Sequence, residues 1–381
     1  MIKKSYNKKI AILGASYLQL PLVQKAKENG LEVHCFAWDD GRAVCKDIAD
    51  YFYDISVLEK ELILAECEKI GIHGILTIAT DICIPTISYV ANHLKLSGNS
   101  IECSLLTTNK SLMRKCFEEN GIESPKSITV SEFKPEDFES LIYPVIIKPS
   151  DRSGSLGVIK ASSLEECKKA IENAVSASFS KTCVVEEFVA GKEVSVETVS
   201  FKGDHRIITI TDKEITREPY FVELAHHQPS AFSAEIKNKI HEISYSILKA
   251  THVENGASHI ELMITDQGKV YPIEIGSRMG GDFIGSDLVP LSTGLDYMQA
   301  VLDIALDQYI LPESIQSTAF SGVYFLSKET EFLLPVISSD KEEHYIVKRE
   351  LLSDHLKPAH SSNDRSGYLI YKSDHKVILE K

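Results

Sequence analysis

The chain has 381 residues, with 41 Lys and Arg against 55 Asp and Glu and a formal net charge of −14. That length exceeds what one compact core holds and predicts two or three domains, while 43% hydrophobic and 25% charged residues exclude a disordered chain. The acidity speaks against a nucleic-acid partner, which needs concentrated Lys and Arg, but leaves room for a small anion held by a few local cations.

The chain opens on charge, yet the apolar run "KIAIL" is broken at once by Gly14, Ser16 and Gln19, which reads as a strand and not as a signal peptide. A helix follows from Leu20 to Asn29, closed by Gly30, then the strand "EVHCFAW", a helix from Val57 to Lys69 stopped by Gly71, the strand "GILTIA" and a helix near Pro85–Leu94. Strands separated by helices on short connections predict a parallel sheet. "TTNKSLMRKCFEEN" reads as a capped helix from Thr107 to Asn120, with Gly121 behind it. Next come the strand "PVIIKPS", a Gly/Ser-rich loop, a helix over Leu164–Ala174 and the strand "CVVEEFV". "EVSVETVSF" and "DHRIITITD" form a predicted hairpin, and a helix from Ala234 to Thr251 leads to a second pair, "ASHIELMIT" and "VYPIEIGS", across the turn "DQGK". This middle section is α+β. The tail beyond Leu311 carries three more strand-like stretches.

No later stretch reaches membrane-spanning length. The eight cysteines include no Cys-x-x-Cys pair and several sit in apolar runs, so buried free thiols in a reducing compartment are expected and the protein reads as cytoplasmic.

Four stretches carry chemistry. "GASYLQ" lacks the glycines of a dinucleotide fingerprint at Ser16 and Gln19, which speaks against a nicotinamide or flavin enzyme and leaves a tight strand-to-helix turn. "DRSGSLGV" follows the strand ending in Lys148; Gly154 and Gly157 let the backbone approach a polyphosphate, and Lys148 supplies a point charge. Alone, such a loop equally fits a flexible connector. "VVEEFVAGKEVSVE" runs an apolar strand into Glu186 and Glu187, which can accept from an adenine amino group, with Glu193 in reach of a ribose; alone, an exposed charged strand end fits as well. Finally, Glu261 and Glu274 each lie inside an apolar run on strands joined by one tight turn. Two carboxylates brought together repel, and a divalent cation resolves the repulsion. Arg278, four residues past Glu274, suits an anionic oxygen.

In this order the pieces resemble the ATP-grasp superfamily over residues 9–310. The resemblance implies an N-terminal Rossmann-like, pre-ATP-grasp domain (1–105), a lid subdomain with its linker helix (106–185), a large subdomain (186–310) that clasps ATP with the lid, and a β-rich C-terminal segment (311–381). It gives Lys110 and Lys148 the ATP phosphates, the loop of Ser153, Gly154, Ser155 and Gly157 the closure over them, and Glu186, Glu187 and Val189 the adenine. Glu193 takes the ribose, Glu261 and Glu274 take Mg²⁺ or Mn²⁺, and Arg278 with Lys148 is the catalytic pair. One position departs from the family pattern Glu-x-Asn after the second acidic strand: Gly276 offers no side chain, which puts a second metal site in doubt.

"YFVELAHHQPS" and "GGDFIGSDLVPLSTG" are similar to the amino-acid-ligase and carbamoyl-phosphate-synthetase-like branch, which places Glu223, His226, His227, Gly280 and Gly281 at the substrate end. The activity implied is ATP-dependent joining of a carboxylate to an amine through an acyl phosphate, on amino acids in dipeptide fashion. Loading of a carrier protein, bicarbonate activation as in biotin carboxylases, and an ATP-binding scaffold or sensor remain as alternatives. A homodimer is the default expectation for assembly.

Overall fold

The computed structural model describes residues 8–154, 156–216, 218 and 221–379. Four parallel strands open the chain, β1 (Lys9–Leu13), β2 (Glu32–Ala37), β3 (Tyr51–Asp54) and β4 (Gly74–Leu76), in the order β3-β2-β1-β4. Helices α1 (Leu20–Glu28), α2 (Lys60–Ile70) and α3 (Ile84–Leu94) connect and cover them. Alternation along β1 sends Ile10 and Ile12 to the face packed by Leu22 and Val23 of α1, and Ala11 and Leu13 to the face packed by Ile63 of α2 and Val90 of α3. A strand covered on both faces is apolar at successive positions, which is why "KIAIL" reads as an unbroken run. Strand β3 was not legible in the sequence; it is a four-residue edge with no buried position.

Two helices lead out of this unit, α4 (Ile101–Leu106) and α5 (Lys110–Glu119). The helix expected from Thr107 to Asn120 is α5, which starts at Lys110, while α4 ahead of it was not legible in the sequence. Thr107 closes α4, and Asn109 caps α5, its side chain accepting from the N–H groups of Ser111 and Leu112 at 3.0 and 3.2 Å.

A small antiparallel sheet follows, built from β5 (Ser127–Val130), β6 (Val145–Pro149), β7 (Ile159–Ala161) and β8 (Cys183–Glu187) in the order β5-β8-β6-β7. Helix α6 (Leu164–Ala177) backs it, with Val145, Ile147, Ala170, Ile171 and Cys183 in the shared core.

Facing it is a sheet of eight strands. Its first part holds β9 (Lys192–Phe201), β10 (Asp204–Ile215), β11 (Glu223–Gln228), β12 (Gly256–Ile264) and β13 (Val270–Gly276). The predicted hairpins β9–β10 and β12–β13 are both antiparallel pairs. Helix α7 (Ala234–Ala250) and α5 cover one side through Ile240, Ile247, Met113 and Phe117. Helices α8 (Val289–Thr293) and α9 (Tyr297–Ala305) come next, and α9 packs into the core of the N-terminal sheet. After them β14 (Phe320–Leu326), α10 (Leu334–Ile337), β15 (Ile346–Leu351) and β16 (Gly367–Ser373) complete the chain. These last strands continue the same sheet through a β11–β14 pairing, giving the order β13-β12-β9-β10-β11-β14-β16-β15. No helix among the described residues is long and apolar enough to cross a membrane.

Candidate functional site

Between the small sheet and the large one lies a cavity of about 280 Å³. One end is apolar, walled by Ile146, Val189, Met263 and Ile273. The other is charged, and its charges come from every surrounding element.

Helix α5 contributes two cations one turn apart, Lys110 and Arg114, both buried. Lys110 Nζ donates to Glu274 Oε1 at 2.8 Å and to the Arg152 carbonyl at 2.7 Å, which ties the large sheet to the Gly/Ser loop. Arg114 donates to the Ile273 carbonyl at 2.7 Å, and its Nε lies 2.7 Å from Glu186 Oε1. Lys148 on β6 takes the other oxygen of Glu186 at 2.7 Å. Glu186, 2% exposed, thus sits between two cations. Burial alone would push its carboxyl up, but Arg114 and Lys148 hold it below the usual range. Its expected role toward adenine gives way to that of counter-charge for Lys148, since both its oxygens are committed. Glu187 and Val189 line the cavity beside it, and Glu187 accepts from the Ile142 N–H at 3.0 Å.

The loop over this end is anchored at Asp151, whose carboxylate accepts from Ser178 Oγ at 2.8 Å and from the N–H groups of Phe179 and Ser180 at 2.9 and 2.7 Å. Ser153 and Gly154 line the cavity. Gly157 does not; it turns the chain at φ +75° against the Pro149 ring. Ser155 lies outside the described residues.

On the large sheet, Glu261 and Glu274 are direct cross-strand partners of β12 and β13, and their side chains are 25% and 23% exposed. Such a pair of hard oxygen donors on one face fits a Mg²⁺ ion that completes its sphere with phosphate oxygens and water. Among the described residues no group of three or more His, Cys, Asp or Glu is arranged around a metal position. Gly276 adds no donor.

Lys213 on β10, missed in the sequence, is the hub of this face. Its ammonium donates to Glu193 and, at 2.8 Å, to Glu261, with Glu223 at 3.7 Å. Burial would lower its pKa, but the three carboxylates raise it well above the ordinary value. His259 was missed too. It is held by the buried Glu197 and lies 3.4 Å from Glu261; burial would lower its pKa, yet Glu197 raises it to about 9, so the ring is charged at neutral pH. Glu197 also accepts from the Gly280 N–H at 3.2 Å. A Cβ on Gly280 would stand 2.8 Å from the His259 ring, so this glycine serves the His–Glu pair and not a ligand. Gly281 packs toward Ala79, outside the cavity.

The two histidines part company. His226 pairs across the sheet with Lys213 and His227 with Asp212, so alternation turns them to opposite faces. His227 binds the Tyr371 hydroxyl at 2.9 Å and meets Glu214 at 3.0 Å, within the aromatic packing of Tyr324 and Tyr371. It is a structural residue, and its expected place at the substrate end is corrected. His226 stays on the Lys213 face, buried, with Nε2 3.9 Å from Asp282 and Nδ1 unpartnered. Glu223 lines the cavity and also meets Arg365 at 3.3 Å. Arg278 lines it as well, but its guanidinium is forked onto Asp81 of the N-terminal unit.

The family description "ATP-grasp domain" matches residues 141–287, which hold β6 to β13 and with them the charged strands. Alanine–anticapsin ligase of Bacillus subtilis (strain 168) is 26% identical over 273 residues, 64% of this chain and 56% of that one, so the match spans little more than half of the relative. The L-arginine-specific L-amino acid ligase of Bacillus subtilis is 23% identical over 74% of this chain and 71% of its own. Among solved structures, L-amino acid ligase from Bacillus licheniformis superposes with a TM-score of 0.80 at 20% identity, covering 97% of this chain and 94% of that one. Residues 141–287 thus match an ATP-grasp domain, and the small sheet and the carboxylate-bearing sheet that clasp the cavity have the fold of the solved L-amino acid ligase.

Proposed function

We propose that the protein is an ATP-dependent carboxylate–amine ligase that activates an amino acid as an acyl phosphate and joins it to an amine, releasing ADP and phosphate. The observation that carries this reading is the charged end of the cavity, where Lys110 and Lys148 line the same space as the Glu261/Glu274 pair and Lys110 donates to Glu274. Cations there suit the phosphates of ATP, the apolar end suits a base, and bound Mg²⁺ would supply charge neutralisation at the transferring phosphoryl group. The similarity to proteins named as amino-acid ligases supports the substrate class. A second cavity of about 260 Å³ adjoins the first at Arg152, Ser153, Leu156 and Glu274 and is walled by Leu58, Ile82, Pro85 and Phe179. An amine bound there would approach the activated carbonyl beside the phosphate end. The Gly/Ser loop between the cavities excludes water from the acyl phosphate, which water would otherwise hydrolyse. Eight unpaired, buried thiols fit a reducing compartment such as the cytoplasm.

Isotope transfer tests the chemistry. With an amino-acid substrate carrying ¹⁸O in its carboxylate, one labelled oxygen is expected in the released phosphate. Label that stays wholly in the amide and water, or AMP and pyrophosphate as products, would rule out an acyl phosphate.

A further inference from the structure

Arg278 is aimed by a residue outside the matched domain. Asp81 follows β4 and is 8% exposed; its carboxylate accepts from Arg278 Nε at 2.9 Å and from Nη2 at 2.8 Å. This fork fixes the guanidinium plane and, among the described residues, leaves Nη1 with a long contact to the Met279 carbonyl, 3.4 Å. The chain carrying Asp81 is fastened where it needs to be. Ala79 N–H donates to the Met279 carbonyl at 3.1 Å, and Gln19 Nε2 donates to the Ile78 carbonyl at 2.8 Å. Ala79 itself adopts a left-handed φ of 62°, unusual for a residue with a Cβ.

Gly276 explains how Asp81 fits. A Cβ built there would meet Asp81 Oδ1 at 2.6 Å and the Arg278 guanidinium carbon at 3.3 Å. The backbone of Gly276 is not left-handed, so the residue is required for space and not for conformation. The carboxylate of Asp81 therefore fills the volume that a side chain at position 276 would take.

We propose that Asp81 is the positioning residue of Arg278 and that Asp81 and Gly276 form a matched pair, an inference that rests on the ligase reading for the role of Arg278. Glu261 and Glu274 are the other carboxylates whose charge Arg278 feels. Without Asp81 the guanidinium relaxes onto them, away from the anionic oxygen it should hold and onto the groups that suit Mg²⁺.

The test uses the full chain with Asp81→Ala, Asp81→Asn, Gly276→Ala and the double variant Asp81→Ala/Gly276→Ala. Amide synthesis in Asp81→Ala and in Gly276→Ala is expected to lose roughly 30- to 100-fold in kcat with KM for ATP nearly unchanged. The double variant should lose no more than the worse single, because both changes break one pairing. Asp81→Asn, which keeps the volume and one acceptor, should fall between and serves if Asp81→Ala does not fold. Phenylglyoxal labelling followed by peptide mapping reads the pairing without catalysis: Arg278 should be slow to react in the parent and fast in Asp81→Ala and Gly276→Ala. Equal labelling in all variants, full kcat in Asp81→Ala, or losses that multiply in the double variant would each overturn the pairing. If the parent makes no amide with any amine, the ligase reading fails and the labelling still decides the pairing.

Discussion

At the scale of single residues, the site is a set of buried charges that are safe only in combination. Lys213 shows it most clearly, since one ammonium serves Glu193, Glu261 and Glu223. A buried ion pair is weak evidence for stability, because desolvation offsets much of the attraction, but removing one partner leaves uncompensated charge in low dielectric. Lys213→Met should therefore cost about 3–5 kcal/mol of unfolding free energy at pH 7.5, measured by urea denaturation. A loss below roughly 1 kcal/mol, within the range of an exposed pair, would show that solvent screens the cluster. Lys213 was not legible in "DHRIITITD" and "KEITREPY", because a single lysine on a hairpin strand looks like any solvated one. Its meaning comes from three carboxylates on β9, β11 and β12, and only the sheet brings those together. His259 and Glu197 escaped for the same reason, and Asp81 because its partner is 197 residues away.

At the scale of elements, legibility followed periodicity. The double-faced burial of β1 and β2, the two acidic hairpin strands and the Gly/Ser loop behind Lys148 stood out because pattern and punctuation agreed there. Helix α4 did not, since six residues carry too little period to stand out, and the Asn109 cap starts α5 at Lys110 and not at Thr107. Helix α5 carries a further readable signal beside Lys110: Arg114 stands four residues on, on the face that also buries Met113 and Phe117. Two cations among core residues on one helix face imply buried carboxylates opposite, and Glu274 and Glu186 are those carboxylates. For the histidines, "HH" on a strand already dictates opposite faces, so one of the pair had to leave the site.

At the scale of the whole molecule, the large sheet is shared property. Its floor strands bear the carboxylates, while β14 to β16 extend it and deliver Arg365 to Asp282 at 2.8 Å and to Glu223. The tail was the least readable part of the sequence, yet it braces the cavity wall. The thiols report on the integrity of the whole. Burial raises Cys45, Cys67, Cys83, Cys103 and Cys183 to about 12. A pKa raised in the folded state gives stability that is complete below the unfolded thiol value and is lost as pH climbs toward the folded one. Between pH 9 and 12 the unfolded chain ionises these thiols while the folded one keeps them protonated, so the urea midpoint should fall there. Cys67→Ala/Cys83→Ala should flatten that fall relative to its own value at pH 8; an unchanged slope would mean the thiols ionise while folded.

If the cavity couples ATP to the joining of a carboxylate and an amine, Mg-ATP is consumed when both partners are present. Phosphate release from Mg-ATP, measured across pairs of the standard amino acids with Glu274→Gln as control, tests it most directly. Release should depend on a particular pair, with amide formed in equal amount, and should disappear in the control. Tight ATP binding with no release for any pair, or release that persists in Glu274→Gln, would contradict it.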